Sequence, residues 1–238
     1  MSITRNERLD CACGTPLDVL VVDSLNATRH PHLKAALLER TLHVFSCGVC
    51  GAPIVLEKDL LYFDFDRKQF FCMYPRHERA REAACSAEVK LAYARWLGES
   101  APKFVSDYGK DFLVRACFGY EELREKVAID DAGLADLVVE ALKIDLLVAE
   151  PWFRANDVIT LRFDRLLPSG ELAFVPEWVG APRAARTLTA ARALYDEIDE
   201  KFDDILVKHP GLAGGAHVSL LRLISWPDAG PLGRAPRL

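Results

Sequence analysis

No stretch of the sequence is apolar for long enough to cross a bilayer, which takes about 20 consecutive residues. The opening Met1-Ser2-Ile3-Thr4-Arg5-Asn6-Glu7-Arg8 also lacks the apolar core of a secretory signal. A cytoplasmic protein with no membrane attachment is the expectation. Positive charge is not in excess either: 30 lysines and arginines face 35 aspartates and glutamates, for a net charge of −5. Without an overall basic field, random nucleic acid is a poor partner. Phosphate-binding signatures are missing. Gly211-Leu212-Ala213-Gly214-Gly215 follows a helical pattern, not a strand, and carries no Lys-Ser/Thr, so it is neither a P-loop nor a dinucleotide fingerprint. His77-Glu78 has no second histidine one turn on, which excludes the zinc-protease helix. The carboxylates are scattered, with no convergent base, nucleophile or oxyanion donor.

What is present is cysteine, seven in all. In a reducing compartment an odd number of cysteines reads as thiols and metal ligands, not as disulfides. Cys47-Gly48-Val49-Cys50-Gly51 is the tight turn that presents two sulfurs to one metal, with a glycine to let the turn close. The second pair, in Asp10-Cys11-Ala12-Cys13-Gly14, is one residue shorter. Four thiols, Cys11, Cys13, Cys47 and Cys50, are therefore the candidate ligands of a structural zinc. The shortened turn removes loop backbone N–H groups that normally stabilise the sulfurs, so weaker zinc binding than in a regular ribbon is expected. Asp10 as an oxygen ligand, a repacked core without metal, and a redox pair are the alternatives. Cys72 and Cys117 lie in apolar runs and read as buried thiols, and Cys85 sits on an alanine-rich helix. His30 and His32 flank Pro31 and read as exposed turn residues.

The 238 residues suffice for one large domain or two small ones. Leu17 to Val22 reads as a strand left through the polar Asp23-Ser24-Leu25-Asn26, and Pro31 opens a helix. Leu42 to Phe45 and Ile54 to Leu56 lead into and out of the Cys47 turn as a β-ribbon. Leu60 to Phe65 and Gln69 to Tyr74 form a hairpin over Asp66-Arg67-Lys68. Arg76 to Leu97 is helical, with Ala80, Ala84, Ala87, Leu91 and Ala94 on one face. Arg76, Arg79 and Arg81 are offset by Glu78 and Glu82, a solvated face and not a nucleic-acid patch. Phe112 to Phe118 is a strand, and Glu121 to Ile129 and Leu134 to Val148 are helices. Beyond a boundary at Pro151, Val158 to Arg165 and Glu171 to Val175 pair across Ser169-Gly170. Ala191, Tyr195, Ile198, Phe202 and Ile205 form the apolar seam of a long helix whose outer face is acidic. That seam needs the hairpin or a second copy of the chain as its cover.

Cys11-Ala12-Cys13-Gly14, Asp23-Ser24-Leu25-Asn26, Pro31-His32-Leu33, Leu37-Leu38, Phe45-Ser46-Cys47-Gly48-Val49-Cys50-Gly51 and Leu60-Leu61-Tyr62-Phe63-Asp64 together resemble the bacterial CpXC family. The later runs Glu121 to Lys126 and Asp131 to Asp136 are similar to the segment that follows its ribbon. The resemblance implies a zinc-ribbon fold and a metal but no activity, since the family is functionally uncharacterised. It carries the ligand role onto Cys13, Cys47 and Cys50. Both motif prolines are missing: Cys11 and Gly48 stand in their places, and Asp10 takes the first ligand position.

The expected architecture is α+β: a zinc-ribbon-like antiparallel sheet with helices over 8–150, and a smaller segment with a hairpin and one long helix over 151–226. A disordered tail over 227–238 completes it. The expected function is a non-catalytic cytoplasmic binding or regulatory protein with a structural zinc, acting on a protein partner or on itself. An enzyme with a cleft between the halves and a nucleic-acid-binding ribbon are the alternatives.

Overall fold

The computed structural model describes residues 2–149, 158–178, 187–213 and 215–223. The boundary at Pro151 and the tail over 227–238 lie outside the described residues. The chain packs as two compact units, Met1–Leu123 and Arg124–Leu238, both mixed α and β.

The first unit opens with β1 (Ile3–Asp10) and β2 (Pro16–Asn26), an antiparallel hairpin in which Asp10 pairs with Pro16. Asp23 to Asn26 continues β2 and is not the expected turn. Ser24, Leu25 and Asn26 are buried there and pair in parallel with Leu61, Tyr62 and Phe63 of β5 (Leu60–Asp64). Polar residues can extend a strand when the sheet satisfies their backbone, and here it does. Between β2 and β5 come α1 (Pro31–Leu38), with its proline in the first turn, and the ribbon strands β3 (Val44–Ser46) and β4 (Pro53–Val55). β6 (Gln69–Tyr74) pairs antiparallel to β5, and β7 (Leu113–Phe118) parallel to β6.

The main sheet therefore runs β1-β2-β5-β6-β7 and is mixed where an antiparallel sheet was expected, while β3-β4 is a separate sheet. The physical reason lies in the connections. Parallel neighbours need a long crossover, and each parallel pair has one. The second crossover carries a 3-10 segment (Arg76–Arg81), α2 (Glu82–Trp96) and α3 (Lys103–Gly109). α2 buries Cys85, Ser86 and Val89, while Leu91 of the alanine-rich face is 70% exposed. Helical periodicity found the helix, but small alanines do not tell which face is covered. Tyr62, Phe70, Phe71, Met73 and Cys117 fill the interior of this unit.

In the second unit, α4 (Tyr120–Asp131) continues past Leu123, and α5 (Asp136–Ala149) follows. β8 (Val158–Leu166), β9 (Leu172–Trp178) and β10 (Leu188–Ala190) form an antiparallel sheet in the order β10-β9-β8. The expected long helix is two, α6 (Arg192–Glu200) and α7 (Phe202–Lys208), broken at Lys201. One continuous helix would set Asp199 over Asp203 and Glu200 over Asp204, like charges one turn apart. The break places Asp203 and Asp204 in a fresh first turn, where carboxylates are favoured. Tyr195 and Ile198 pack with Leu161, Phe163, Leu172 and Phe174, so the β8–β9 hairpin covers the seam, together with Val138, Val139 and Leu142 of α5.

Beside that apolar core lies a buried charge network. Lys143 Nζ is 2.6 Å from Glu125 and 2.8 Å from Glu140; Lys126 Nζ is 2.9 Å from Glu140 and 3.4 Å from Asp136. Glu125 also meets Arg162 at 3.0 Å and accepts the Phe163 N–H, and Glu140 accepts the Leu220 N–H. Burial opposes the Glu140 charge, but Lys126 and Lys143 outweigh it and hold its pKa at about 2. Burial likewise opposes the Lys126 charge, and Glu140, Asp136 and Glu125 still raise its pKa. Ions this deep persist only when each has partners.

Candidate metal centre

Both cysteine turns are hairpin tips, and they are built alike. Cys11 N–H donates to the Thr15 carbonyl at 2.9 Å, and Cys47 N–H to the Ala52 carbonyl at 2.9 Å. Inside each, a glycine closes the turn onto the first cysteine: Gly14 N–H to Cys11 O at 2.8 Å, Gly51 N–H to Cys47 O at 2.9 Å. Gly14 has φ +82° and Gly51 φ +72°, the left-handed region where a side chain is strained. The loops differ by one residue. Cys11 to Gly14 closes three residues apart and Cys47 to Gly51 four. In both, the cysteines are the first loop residue and the one before the glycine.

The tips meet. Cys11 Sγ lies 3.5 Å from Cys50 Sγ, and Cys13 Sγ 3.7 Å from Cys47 Sγ. All four sulfurs are within 4.8 Å of one another, so the group can hold a metal ion. Cys11 and Cys47 are buried and Cys13 and Cys50 exposed. The backbone N–H groups of Cys50 and Val49 point at Cys47 Sγ and lower its pKa. Cys13 has its own donor, the Thr15 hydroxyl with Oγ1 3.2 Å from Sγ, and with the Thr15 backbone this brings its pKa to about 6. For Cys11 the Cys13 backbone favours the thiolate, but burial and the neighbouring sulfurs prevail and push it up to about 12. Thiolate character is thus shared unequally around the cluster.

The CpXC protein family matches residues 9–143, more than half of the 238 residues. The chain belongs to the CpXC family. A relative in Treponema pallidum (strain Nichols), named only as an uncharacterized protein, is 27% identical over 148 residues. That alignment takes in 60% of this chain and 64% of the relative, so the chain spans less than two thirds of that protein's length. No solved structure matches.

Of the expected ligands, all four cysteines come together; Asp10, at the end of β1, is not in the group. His30 instead lies with Nδ1 2.9 Å from Ser2 Oγ. Cys85 and Cys117 are buried, and Cys72 is half-buried, its thiol pushed up to about 12 by burial. Arg79 and Arg81 are paired, with Glu122 at 3.1 Å and Glu78 at 2.6 Å. A second polar arrangement at the base of the ribbon, His43 with Tyr120, has no sequence signal. Its members stand 77 positions apart and belong to no motif.

Proposed function

We propose that this CpXC protein is a non-catalytic binding or regulatory protein whose β1–β2 and β3–β4 hairpins are clamped by a structural zinc on Cys11, Cys13, Cys47 and Cys50. The observation that carries it is the sulfur spacing. A tetrahedral zinc with Zn–S near 2.3 Å sets ligand sulfurs about 3.8 Å apart, and two of the cross-hairpin distances are 3.5 and 3.7 Å. Four protein ligands leave no open coordination position, which favours a structural over a catalytic ion. Zinc bound there would cross-link two distant hairpins and contribute directly to folding. A cytoplasmic setting suits the reading, because free thiols stay reduced there.

A protein partner or a second copy fits better than nucleic acid. Leu91, Trp96 and Phe104 are 70%, 54% and 77% exposed on α2 and α3. The whole chain, by contrast, is net negative. The test is metal content by plasma mass spectrometry on protein purified without added metal. One zinc per chain, lost in Cys47→Ser and in Cys13→Ser, is the expected result. Equal metal in parent and both variants would remove the reading.

A further inference from the structure

His43 joins α1 to the ribbon and is held in a left-handed conformation, φ +58°, with its ring buried. A non-glycine residue in that region is strained, and such strain collects where a side chain must be aimed. Val22 N–H donates to His43 Nε2 at 2.8 Å. A backbone amide can only donate, so Nε2 is the lone-pair nitrogen and Nδ1 carries the ring's proton. Burial keeps the imidazole neutral, with its pKa down at about 4. The contact between His43 Nδ1 and the Tyr120 hydroxyl, at 2.5 Å, must therefore run from histidine to tyrosine. Tyr120 accepts that bond, and its own O–H proton is left to donate elsewhere. Among the described residues no acceptor takes it.

Tyr120 also lines a cleft of about 200 Å³. Leu37, Leu42, Val44 and Val55 give the cleft an apolar lining. Two arginine–glutamate pairs also line it. Arg40 Nε donates to both Glu121 oxygens, at 3.0 and 3.2 Å, and Arg76 Nε lies 3.5 Å from Glu57, which also accepts the Arg76 N–H at 3.0 Å. Arg76 lies against Gly119, φ +86°, where a Cβ would come within 2.7 Å of Arg76 Cγ and 2.9 Å of Glu57. The glycine makes room for the pair.

We propose that this cleft binds a small free aliphatic carboxylate, its carboxylate accepting from Tyr120 and a guanidinium, its branched body on the leucine and valine lining. An oriented hydroxyl with an uncommitted proton requires an acceptor, the arginines favour an anionic one, and the lining selects an aliphatic body. The same chemistry is offered by a simple acid and by an amino acid, whose ammonium would meet Glu57 or Glu121. The site is separate from the cysteines and does not depend on the zinc reading.

The test is a titration of the full chain, as purified, with 4-methylpentanoate, leucine, 4-methylpentanamide and the peptide Ala-Ala-Leu, read by methyl NMR shifts and calorimetry. Saturable binding of either acid, with shifts at Leu37, Leu42, Val44 and Val55, is expected. Tighter binding of leucine would assign the ammonium to the glutamates and equally support the site. The amide should bind roughly tenfold more weakly or not at all, since a hydrogen bond to a charged acceptor is lost. Tyr120→Phe should weaken the acids by a similar factor. Because that change also strips His43 of its acceptor, Arg40→Gln, on an exposed side chain, serves as the second variant and should weaken the acids several-fold. No saturable shift with any acid, equal binding of the amide, indifference to both substitutions in folded protein, or tighter binding of the peptide than of either acid would overturn the proposal.

Discussion

At Gly14 and Gly119 the same backbone conformation carries different consequences. Both have positive φ, but a Cβ at Gly14 would meet nothing within 4 Å, whereas at Gly119 it would strike Arg76 and Glu57. Gly14→Ala should therefore cost only the left-handed backbone, about 1–2 kcal/mol. Gly119→Ala should cost that and the displacement of the Arg76–Glu57 pair besides. Urea melts of the two variants check this, and equal losses would show that the pair moves aside freely. Single residues were legible in the sequence where their chemistry is local. Cysteine next to glycine marks a candidate metal turn by itself, and the four sulfurs do come together. His43 could not be read, because its tautomer and direction come from Val22 and Tyr120, which no local pattern connects to it.

Among the elements, loop length decides what the shortened cysteine turn can do. The sequence shows that one residue is missing, and weaker metal binding was the natural expectation. The fold adds how a hairpin absorbs the loss: the glycine bond reaches back three residues instead of four, and Cys11 still arrives 3.5 Å from Cys50. Restoring the family pattern with Asp10→Cys and Cys11→Pro would move the first cysteine back onto the last residue of β1, where Asp10 pairs with Pro16. It would also remove the Cys11 N–H that closes the loop onto Thr15. The double variant should retain less zinc than the parent after chelator challenge, by metal analysis, and more zinc would show that the short turn is a handicap. Most other elements were legible from periodicity, as with β3, β4, β5, β6 and α5. β1 was not read, since its residues are largely exposed and offer no apolar alternation. β10 was not read because, unlike the equally short β3 and β4, it does not flank a cysteine turn that marks it as a strand. The mixed sheet escaped because pairing direction depends on crossovers, which propensity does not encode.

In the whole molecule, two compact units rest on two different kinds of interaction. Met1–Leu123 contains the cysteine cluster, and Arg124–Leu238 the buried network of Glu125, Lys126, Glu140 and Lys143. The network was hidden in the sequence, because a run such as Glu121 to Lys126 ordinarily means a solvated helix face. Removing one carboxylate leaves two lysines poorly compensated in the interior, a loss of about 3–5 kcal/mol for a broken buried pair. Glu140→Gln should therefore destabilise the second unit by roughly that amount, while chelation at neutral pH should act on the first. Hydrogen exchange by mass spectrometry separates them: chelator should speed exchange in the hairpins around Cys11 and Cys47, and Glu140→Gln in α4, α5 and β8. The acid response has a definite sign. Glu140 titrates at about 2 in the folded chain against an ordinary 4.5, so the unfolded chain binds its proton first. The stability it contributes is complete above about 5 and drains away as pH falls towards 2. With chelator present throughout, to keep metal release out of the comparison, the parent's second unit should lose protection over that window. Glu140→Gln, already lacking the charge, should lose less over the same window. A variant as acid-sensitive as the parent would mean that the dependence lies outside Glu140, and Glu140 would no longer be the keystone of the network.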